Sequence, residues 1–281
     1  MSLQKIRPHK AFRFFAFVLI IIISLAYPSG AAAKKGSGYR VSAKAAIFSN
    51  STEVIRYYGK NVHTHVLPAS TTKVMTALLV LERLPLDSVV TVSKRAGRVQ
   101  PSKLYAKPGE KFKVRDLLYA ILLKSANDAS VALAEAVAGS EWEFVNMMNA
   151  RARKLGARHT KFANSHGLPS KEKQYTTAYD MYLIFREILK HRFFREAIKR
   201  KHKTIYSASG KKYRLKTHNK ILFKGWKRNI YGKTGYTRAA KACFLGYLMK
   251  GKSVCIIAVF GCTRRWDDIK HIISKYGGIA L

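Results

Sequence analysis

Acidic side chains are scarce in this chain. Only 15 Asp and Glu stand against 53 Lys and Arg in 281 residues, a formal net charge of +38 at pH 7. That imbalance specifies no fold, but it points to an anionic partner or surface. Long apolar runs are missing too, with one exception. Phe14 to Tyr27 is apolar apart from Ser24, and it is shorter than the ~20 residues a membrane-spanning helix needs. Lys5, Arg7, Lys10 and Arg13 precede the run; Pro28, Ser29, Gly30 and then Ala31, Ala32 and Ala33 follow it. Residues 1–33 therefore read as an export signal peptide, with retention as an uncleaved anchor the alternative. Either way the bulk of the chain is expected outside the cytoplasm, in the periplasm or cell-wall space, with or without membrane association.

Cysteine is sparse as well. Cys243, Cys255 and Cys262 are the three present, and an odd count in an exported chain does not suggest a disulfide framework. All lie in or beside one apparent hairpin, "CFLGYLMKGKSVCIIAVFGC". With Gly251 at the centre of its turn, Cys255 faces Tyr247, and Cys243 lies four residues further along the same face. Four strand residues span ~13 Å, too far for a bridge. Cys262 would point to the other face. Three buried free thiols without a metal role are expected. No internal repeat is evident, and a hydrophobic content of 48% argues against wholesale disorder. The length allows one or two domains and a sizeable core.

What is present has an order. After a linker over 34–42, "SAKAAIFSNSTEVIRYYGKN" reads as a hairpin turning near Asn50 and Ser51. A helix following Ser70 places Val74, Leu78, Leu81 and Leu84 on one face. "VVTVSKRA" reads as a short strand. "RDLLYAILLK" and "NDASVALAEAVAG" read as helices, the second stopped by Gly139. Ser140 with Glu143, and Thr177 with Asp180, have the spacing of capping boxes. The tail is mostly strand, from "KTIYSAS" and "KYRLKT" to "YGKTGY", "KACFLGYLM" and "SVCIIAVFG", closed by a helix from about Trp266 to Tyr276. Strands joined by tight turns imply an antiparallel sheet, so the class is α+β. The terminal helices are expected to cover the sheet and the middle helices to form a second lobe, with a cleft between.

Three short strings carry chemistry. In "PASTTKVMTALLVLE", Ser70 and Lys73 lie one helical turn apart on the same side. Serine is a weak nucleophile that needs an adjacent base, and a lysine serves if burial or neighbouring cations lower its pKa. Free N–H groups at the helix start could bind an oxyanion. The same spacing also fits a helix-capping Ser beside a solvated Lys. Ser125-Ala126-Asn127 connects two helical runs, offering a hydroxyl and an amide to a cleft or simply capping a helix. Lys233-Thr234-Gly235 lies in a strand-like segment. Its cation and hydroxyl could hold a carboxylate and its Gly could admit a substrate backbone; an ordinary turn reads the same. The three strings in this order, 55 and 108 residues apart, are far more specific than any one alone.

From about Ala43 to Tyr276 the chain resembles the serine D-alanyl-D-alanine carboxypeptidases, the low-molecular-mass penicillin-binding proteins. The resemblance rests on "PASTTKVMTALLVLE", "DLLYAILLKSANDAS", "LGARHTKFANSHGLP", "YTTAYDM" and "YGKTGYT". It implies a β-lactamase/transpeptidase-like fold over 43–281, an antiparallel sheet flanked by helices plus a helical lobe. It implies that Ser70 attacks the carbonyl between two D-alanines at the end of a muropeptide stem, with Lys73 as general base and Ser125 relaying a proton. Asn127 would orient the substrate amide. Lys233 and Thr234, with Thr237, would hold the terminal carboxylate beside Gly235, and the N–H groups of Ser70 and Tyr236 would form the oxyanion hole. Water would release the acyl-enzyme. Peptidoglycan muropeptides are the implied substrates and β-lactams the implied covalent inhibitors, and no metal or organic cofactor is needed.

Some positions depart from the family pattern. Ala126 stands where Gly is common, and Lys124 where an uncharged residue is expected. His218 replaces the Arg or Thr of some members, leaving it a weak substrate contact or a solvated loop residue. Ala240 and Lys241 replace a Gly and an uncharged residue, so the loop beside the oxyanion hole is expected to differ. The chain stops after the catalytic domain, as a minimal member would. A class A β-lactamase would need a Glu in an ExxLN-type loop, and Glu172 in "NSHGLPSKEKQ" has no Leu-Asn after it. An endopeptidase for D-alanyl cross-links would use the same residues. From Arg186 to Lys233 there are 17 Lys or Arg against two Glu, with aromatics interleaved. That composition suits nucleic acid, but the export signal argues against it. A solvated basic face, or one attracted to anionic wall polymers or lipid headgroups, fits an exported chain.

Overall fold

A computed structural model describes residues 38–52 and 56–281. The export signal over 1–33 and the start of the linker lie outside the described residues. Strands β1 (Ala45–Asn50) and β2 (Arg56–Lys60) open the described chain. They are followed by α1 (Lys73–Arg83), β3 (Val89–Thr91), α2 (Lys94–Arg98), β4 (Lys111–Lys113) and α3 (Val114–Tyr119). Next come α4 (Asn127–Ala138), α5 (Glu141–Lys154), α6 (Ala178–Ile188) and α7 (Arg192–Ala197). The chain closes with β5 (His202–Tyr206), β6 (Lys212–Lys216), β7 (Tyr231–Thr237), β8 (Lys241–Lys250), β9 (Ser253–Cys262) and α8 (Arg265–Gly277).

The main sheet is antiparallel, in the order β2-β1-β9-β8-β7. Its inner strands are buried on both faces, so they read as continuous apolar runs instead of alternating ones. Ile47, Leu245, Ile256, Ala258 and Phe260 face the layer of α1, α4 and α6. Phe48, Phe244, Ile257 and Val259 face α8, packing with Ile269, Ile272 and Ile273. One terminal helix therefore covers one face. The other face is covered by helices from the middle of the chain, not by a second terminal helix as the sequence suggested. The strands β5 and β6 form a separate two-stranded ribbon, as do β3 and β4.

Local signals match their elements where the cause is local. The Ser140 hydroxyl accepts from Glu143 N–H, and the Thr177 hydroxyl from Asp180 N–H. Gly139 ends α4 in the left-handed conformation. Other readings are corrected. "VVTVSKRA" is strand only to Thr91; Ser93 then caps the short helix α2 by accepting from Ala96 N–H. The α1 helix is buried on all sides from Lys73 to Val80, because it runs through the centre instead of lying on the surface with one apolar face.

The hairpin of β8 and β9 is shifted by one residue from expectation. Lys250 pairs with Ser253, leaving Gly251 and Lys252 as the turn, so Cys255 opposes Leu248 and Tyr247 opposes Ile256. A one-residue slip sends every side chain to the other face. Cys243 packs with the α1/α6 layer and Cys255 with the α8 layer. Cys262 joins Cys255 there, because β9 carries a bulge: Phe260 and Gly261 together face Cys243, with Gly261 at φ +69°. All three thiols are buried and unpaired.

Candidate active site

The Ser70 turn is a constrained piece of chain. Residues Ala69–Thr72 form a 3-10 turn ahead of α1, and Ala69 is held at φ +47°, a conformation that costs a non-glycine residue ~1–3 kcal/mol. The Pro68 carbonyl accepts from Thr71 N–H at 3.2 Å and from its hydroxyl at 2.7 Å. Ser70 caps no helix: no side-chain bond closes the start of either the turn or α1. Its Oγ lies 3.2 Å from Lys73 Nζ.

Lys73 is fully buried. Its Nζ lies 2.6 Å from Asn127 Oδ1 and 2.7 Å from the His166 carbonyl. Both are acceptors that cannot donate, so the hydroxyl of Ser70 is the one partner that can give its proton to this nitrogen. Burial first, and then the charge of Lys233, hold the Lys73 amine well below the ordinary lysine range; Asp128 opposes the shift.

The second string is delivered by an irregular helix end. Residues Ala120–Lys124 widen into a π-type turn and Ser125 stops it at φ +61°. This turns the Ser125 hydroxyl to Lys233 Nζ, 2.9 Å away. Asn127, expected to orient the substrate amide, is bonded to Lys73. It is 1% exposed; its Oδ1 takes Lys73 and its Nδ2 donates to the Gln100 carbonyl at 2.7 Å. It holds the lysine in place. Asp128 beside it accepts from the N–H groups of Leu104, Tyr105 and Ala106, fixing the loop above α4.

The third string runs along β7, at the sheet edge. Lys233 is buried, donates also to the Thr234 carbonyl at 2.8 Å, and is lowered to about 7 by burial and by Arg265. Gly235 also makes room for the chain itself. A Cβ there would lie 3.1 Å from Ser70 N and 3.2 Å from the Pro68 carbonyl oxygen, so it is the Ser70 turn that needs the space. Arg265, from α8, donates to the carbonyls of Gly235 and Cys243 at 3.1 and 2.9 Å and ties β7 to β8.

Ser70, Ser125, Thr234, Gly235 and Tyr236 line one cleft of about 880 Å³, with His218 and Lys124 on its walls. Thr237 lies on a neighbouring pocket with Ala69 and Gly167, and its hydroxyl accepts from Ala240 N–H at 3.0 Å. Lys241, at the departure noted in sequence, stands at φ +56°.

Several site residues were missed in sequence. The loop from Asn164 to Leu168 supplies the His166 carbonyl. Asn164 Oδ1 accepts from Gly167 N–H at 2.6 Å, and Glu141 Oε1 from Ser165 N–H and Oγ at 3.0 and 2.7 Å. Gly167, at φ +85°, leaves no room for a Cβ, which would lie 1.8 Å from the Ala69 carbonyl oxygen. Burial and Lys73 keep the His166 imidazole at about 4, hence neutral. The string "NSHGLP" was the available signal; nothing local marks Glu141 or Arg265.

The profile of the D-alanyl-D-alanine carboxypeptidase family matches residues 31–264. The chain is 34% identical to the D-alanyl-D-alanine carboxypeptidase DacF of Bacillus subtilis over 89% of its length and 66% of that protein. It is 33% identical to DacC of Escherichia coli over 69% of this chain and 50% of that protein. It thus spans less than two thirds of either relative. Among solved structures, a D-alanyl-D-alanine carboxypeptidase from Mycobacterium tuberculosis superposes with a TM-score of 0.79 at 28% identity, covering 85% of this chain and 92% of that one. A Streptomyces DD-transpeptidase does so with a TM-score of 0.79 at 27% identity, covering 86% and 99%. The described architecture is therefore that of the penicillin-binding, transpeptidase-like enzymes, and the chain belongs to the D-alanyl-D-alanine carboxypeptidase family.

Proposed function

We propose that this protein is a serine D-alanyl-D-alanine carboxypeptidase that removes the terminal D-alanine from peptidoglycan stem pentapeptides. The observation that carries the reading is the bonding of Lys73: two obligate acceptors occupy its N–H groups and the third direction meets Ser70 Oγ at 3.2 Å. An amine so placed and kept below its ordinary pKa is a general base. Ser70 Oγ bonds to the penultimate D-alanine carbonyl and its proton passes to Lys73. The N–H groups of Ser70 and Tyr236 hold the oxyanion. The C–N bond then breaks, Ser125 relays a proton to the leaving amine, and D-alanine departs. Water adds to the ester, releasing the shortened stem and restoring Ser70. Lys233 and Thr234 take the terminal carboxylate. Thr237, whose hydroxyl keeps its own proton to donate, completes that cradle.

A fast β-lactamase is disfavoured by the loop beside Ser70, which contributes a backbone carbonyl at His166. Glu172 is exposed on the wall of the neighbouring pocket, and Glu141 is committed to Ser165 and Arg95. The deciding experiment is intact mass against time with benzylpenicillin, with Ser70→Ala as control. The expected result is an adduct on Ser70 lasting minutes or longer and none in the variant. Consumption of the drug with the protein mass unchanged would assign a β-lactamase instead, and an intact drug with no adduct would remove the serine chemistry.

Such an enzyme must reach the wall. The sequence of residues 1–33 supports export to the periplasm or cell-wall space. The excess of cations supports electrostatic concentration at anionic wall polymers or lipid headgroups. Among the described residues no helix is long and apolar enough to cross a membrane.

A further inference from the structure

One of the groups that hold Lys73 belongs to none of the three reactive strings: the His166 carbonyl, 2.7 Å from Nζ. A further layer of contacts aims that carbonyl. Helix α1 meets the loop over 164–168 at two positions one turn apart. Lys73 Nζ donates to the His166 carbonyl, and the Thr76 hydroxyl donates to the Ser165 carbonyl at 2.6 Å. The N–H side of the loop is taken by acceptors. Asn164 Oδ1 accepts from the N–H groups of His166 and Gly167 at 3.3 and 2.6 Å. Glu141, at the start of α5, accepts from Ser165 N–H and Oγ on one oxygen, at 3.0 and 2.7 Å.

Glu141 is 6% exposed, and a buried carboxylate is costly unless it is paired and hydrogen-bonded. Its second oxygen accepts from the exposed Arg95 at 2.9 Å. The His166 ring completes the arrangement. Leu168 N–H donates to its Nδ1 at 3.2 Å, so the neutral imidazole carries its proton on Nε2. That Nε2 faces Glu141 Oε1 at 3.6 Å. Three groups of two consecutive residues thus converge on one carboxylate oxygen, and the carbonyl of the second residue grips Lys73. Helix capping does not account for the carboxylate, because Ser140 already caps α5 by accepting from Glu143 N–H.

We propose that Glu141 is a positioning residue for the general base: by fixing Ser165 and His166 it holds the His166 carbonyl against Lys73, and so keeps the Lys73 amine aimed at Ser70 Oγ. The inference rests on the reading of Lys73 as the base. It adds a residue that lies outside the cleft lined by Ser70 and acts through the loop. What the loop requires of Glu141 is an acceptor; no bond to it is made or broken in the reaction.

The test is acylation by benzylpenicillin, resolved into the rate constant at saturation and the dissociation constant of the complex that precedes it. In Glu141→Ala the saturating rate should fall between roughly tenfold and 10²-fold, up to the cost of a misplacement of about one ångström, while the dissociation constant holds. Glu141→Gln, whose Oε1 still accepts from Ser165, should recover most of the rate, with the exposed Arg95 turning to water. Added to Lys73→Ala, Glu141→Ala should slow acylation no further, because residues that act through one group are not additive. Should Glu141→Ala fail to fold, Ser165→Ala is read in the same cycle, with severalfold slowing when Lys73 is present and none when it is absent. Four results would each overturn the proposal and leave the serine chemistry standing: a wild-type rate in the folded Ala variant, a change in the dissociation constant alone, a Gln variant as slow as the Ala variant, or further slowing in the Lys73→Ala background. A Lys73→Ala protein that acylates at the wild-type rate marks failure of the underlying reading, and of this one with it.

Discussion

Lys73 and Lys233 are chemically identical residues set to opposite tasks by their partners. Lys73 must be neutral to accept the Ser70 proton, so activity needs a pH above its depressed pKa. Lys233 must be charged to hold a carboxylate, and its pKa of about 7 means that charge is lost as pH rises through neutrality. Because kcat/KM reports the free enzyme, its pH profile should fall on the alkaline side near 7 and hold down to the low pKa of Lys73. Second-order acylation rates with benzylpenicillin from about pH 5 to 10 measure this; a profile that climbs through pH 8–10 would mean Lys73 titrates as an ordinary lysine. Lys73→Ala should slow acylation by ~10²–10⁴-fold, the usual worth of a positioned base. Lys73→Arg should not restore it, because a guanidinium stays protonated; an unchanged rate in either variant removes the lysine from the mechanism. The reacting side chains were legible because their identities are written in short strings. The His166 carbonyl was not, since every residue has one and only folding aims it.

At the scale of elements, the site depends on how closely β7 approaches the Ser70 turn. Gly235→Ala would place a Cβ 3.1 Å from Ser70 N and push the strand away from the turn. Relieving these contacts takes a few tenths of an ångström, a fraction of the one-ångström misplacement that costs on the order of 10²-fold in rate. We expect acylation to fall by less than that, roughly severalfold to tenfold, while far-UV circular dichroism stays unchanged; full activity would show that the turn can yield. Helix caps at Ser140 and Thr177 were readable, since a hydroxyl and an N–H three residues on are neighbours in the chain. The pairing of β8 with β9 was not. Whether Gly251 alone or Gly251 with Lys252 makes the turn is decided by which face each residue can bury, and that is a property of the sheet.

For the molecule as a whole, charge is the dominant feature. The ion pairs among the described residues include Arg151 with Glu82 and Glu187, and Arg115 with Asp87, but 15 acids cannot match 53 cations. The protein should therefore bind anionic vesicles at low ionic strength and release them steeply toward ~0.5 M salt, as screening shortens. Sedimentation with neutral vesicles as control reads this out. Salt-insensitive binding would exclude an electrostatic surface. The α+β class was legible from the order of strands and helices. The covering of the sheet by α6 and α1 was not, because apolar residues mark burial without naming the partner.

By itself the sequence determined the charge, the likeness to the D-alanyl-D-alanine carboxypeptidases, the element order and the three reactive strings, since each is a property of adjacent residues. Tertiary structure alone decided that Asn127 and the His166 carbonyl hold Lys73, that Arg265 ties β7 to β8, that Cys243 and Cys255 lie on opposite faces, and that Arg214 and Lys216 of β6 line the cleft. Those contacts join residues 22 to 93 positions apart. They exist only because burying the apolar faces of sheet and helices leaves one arrangement in which these polar groups meet.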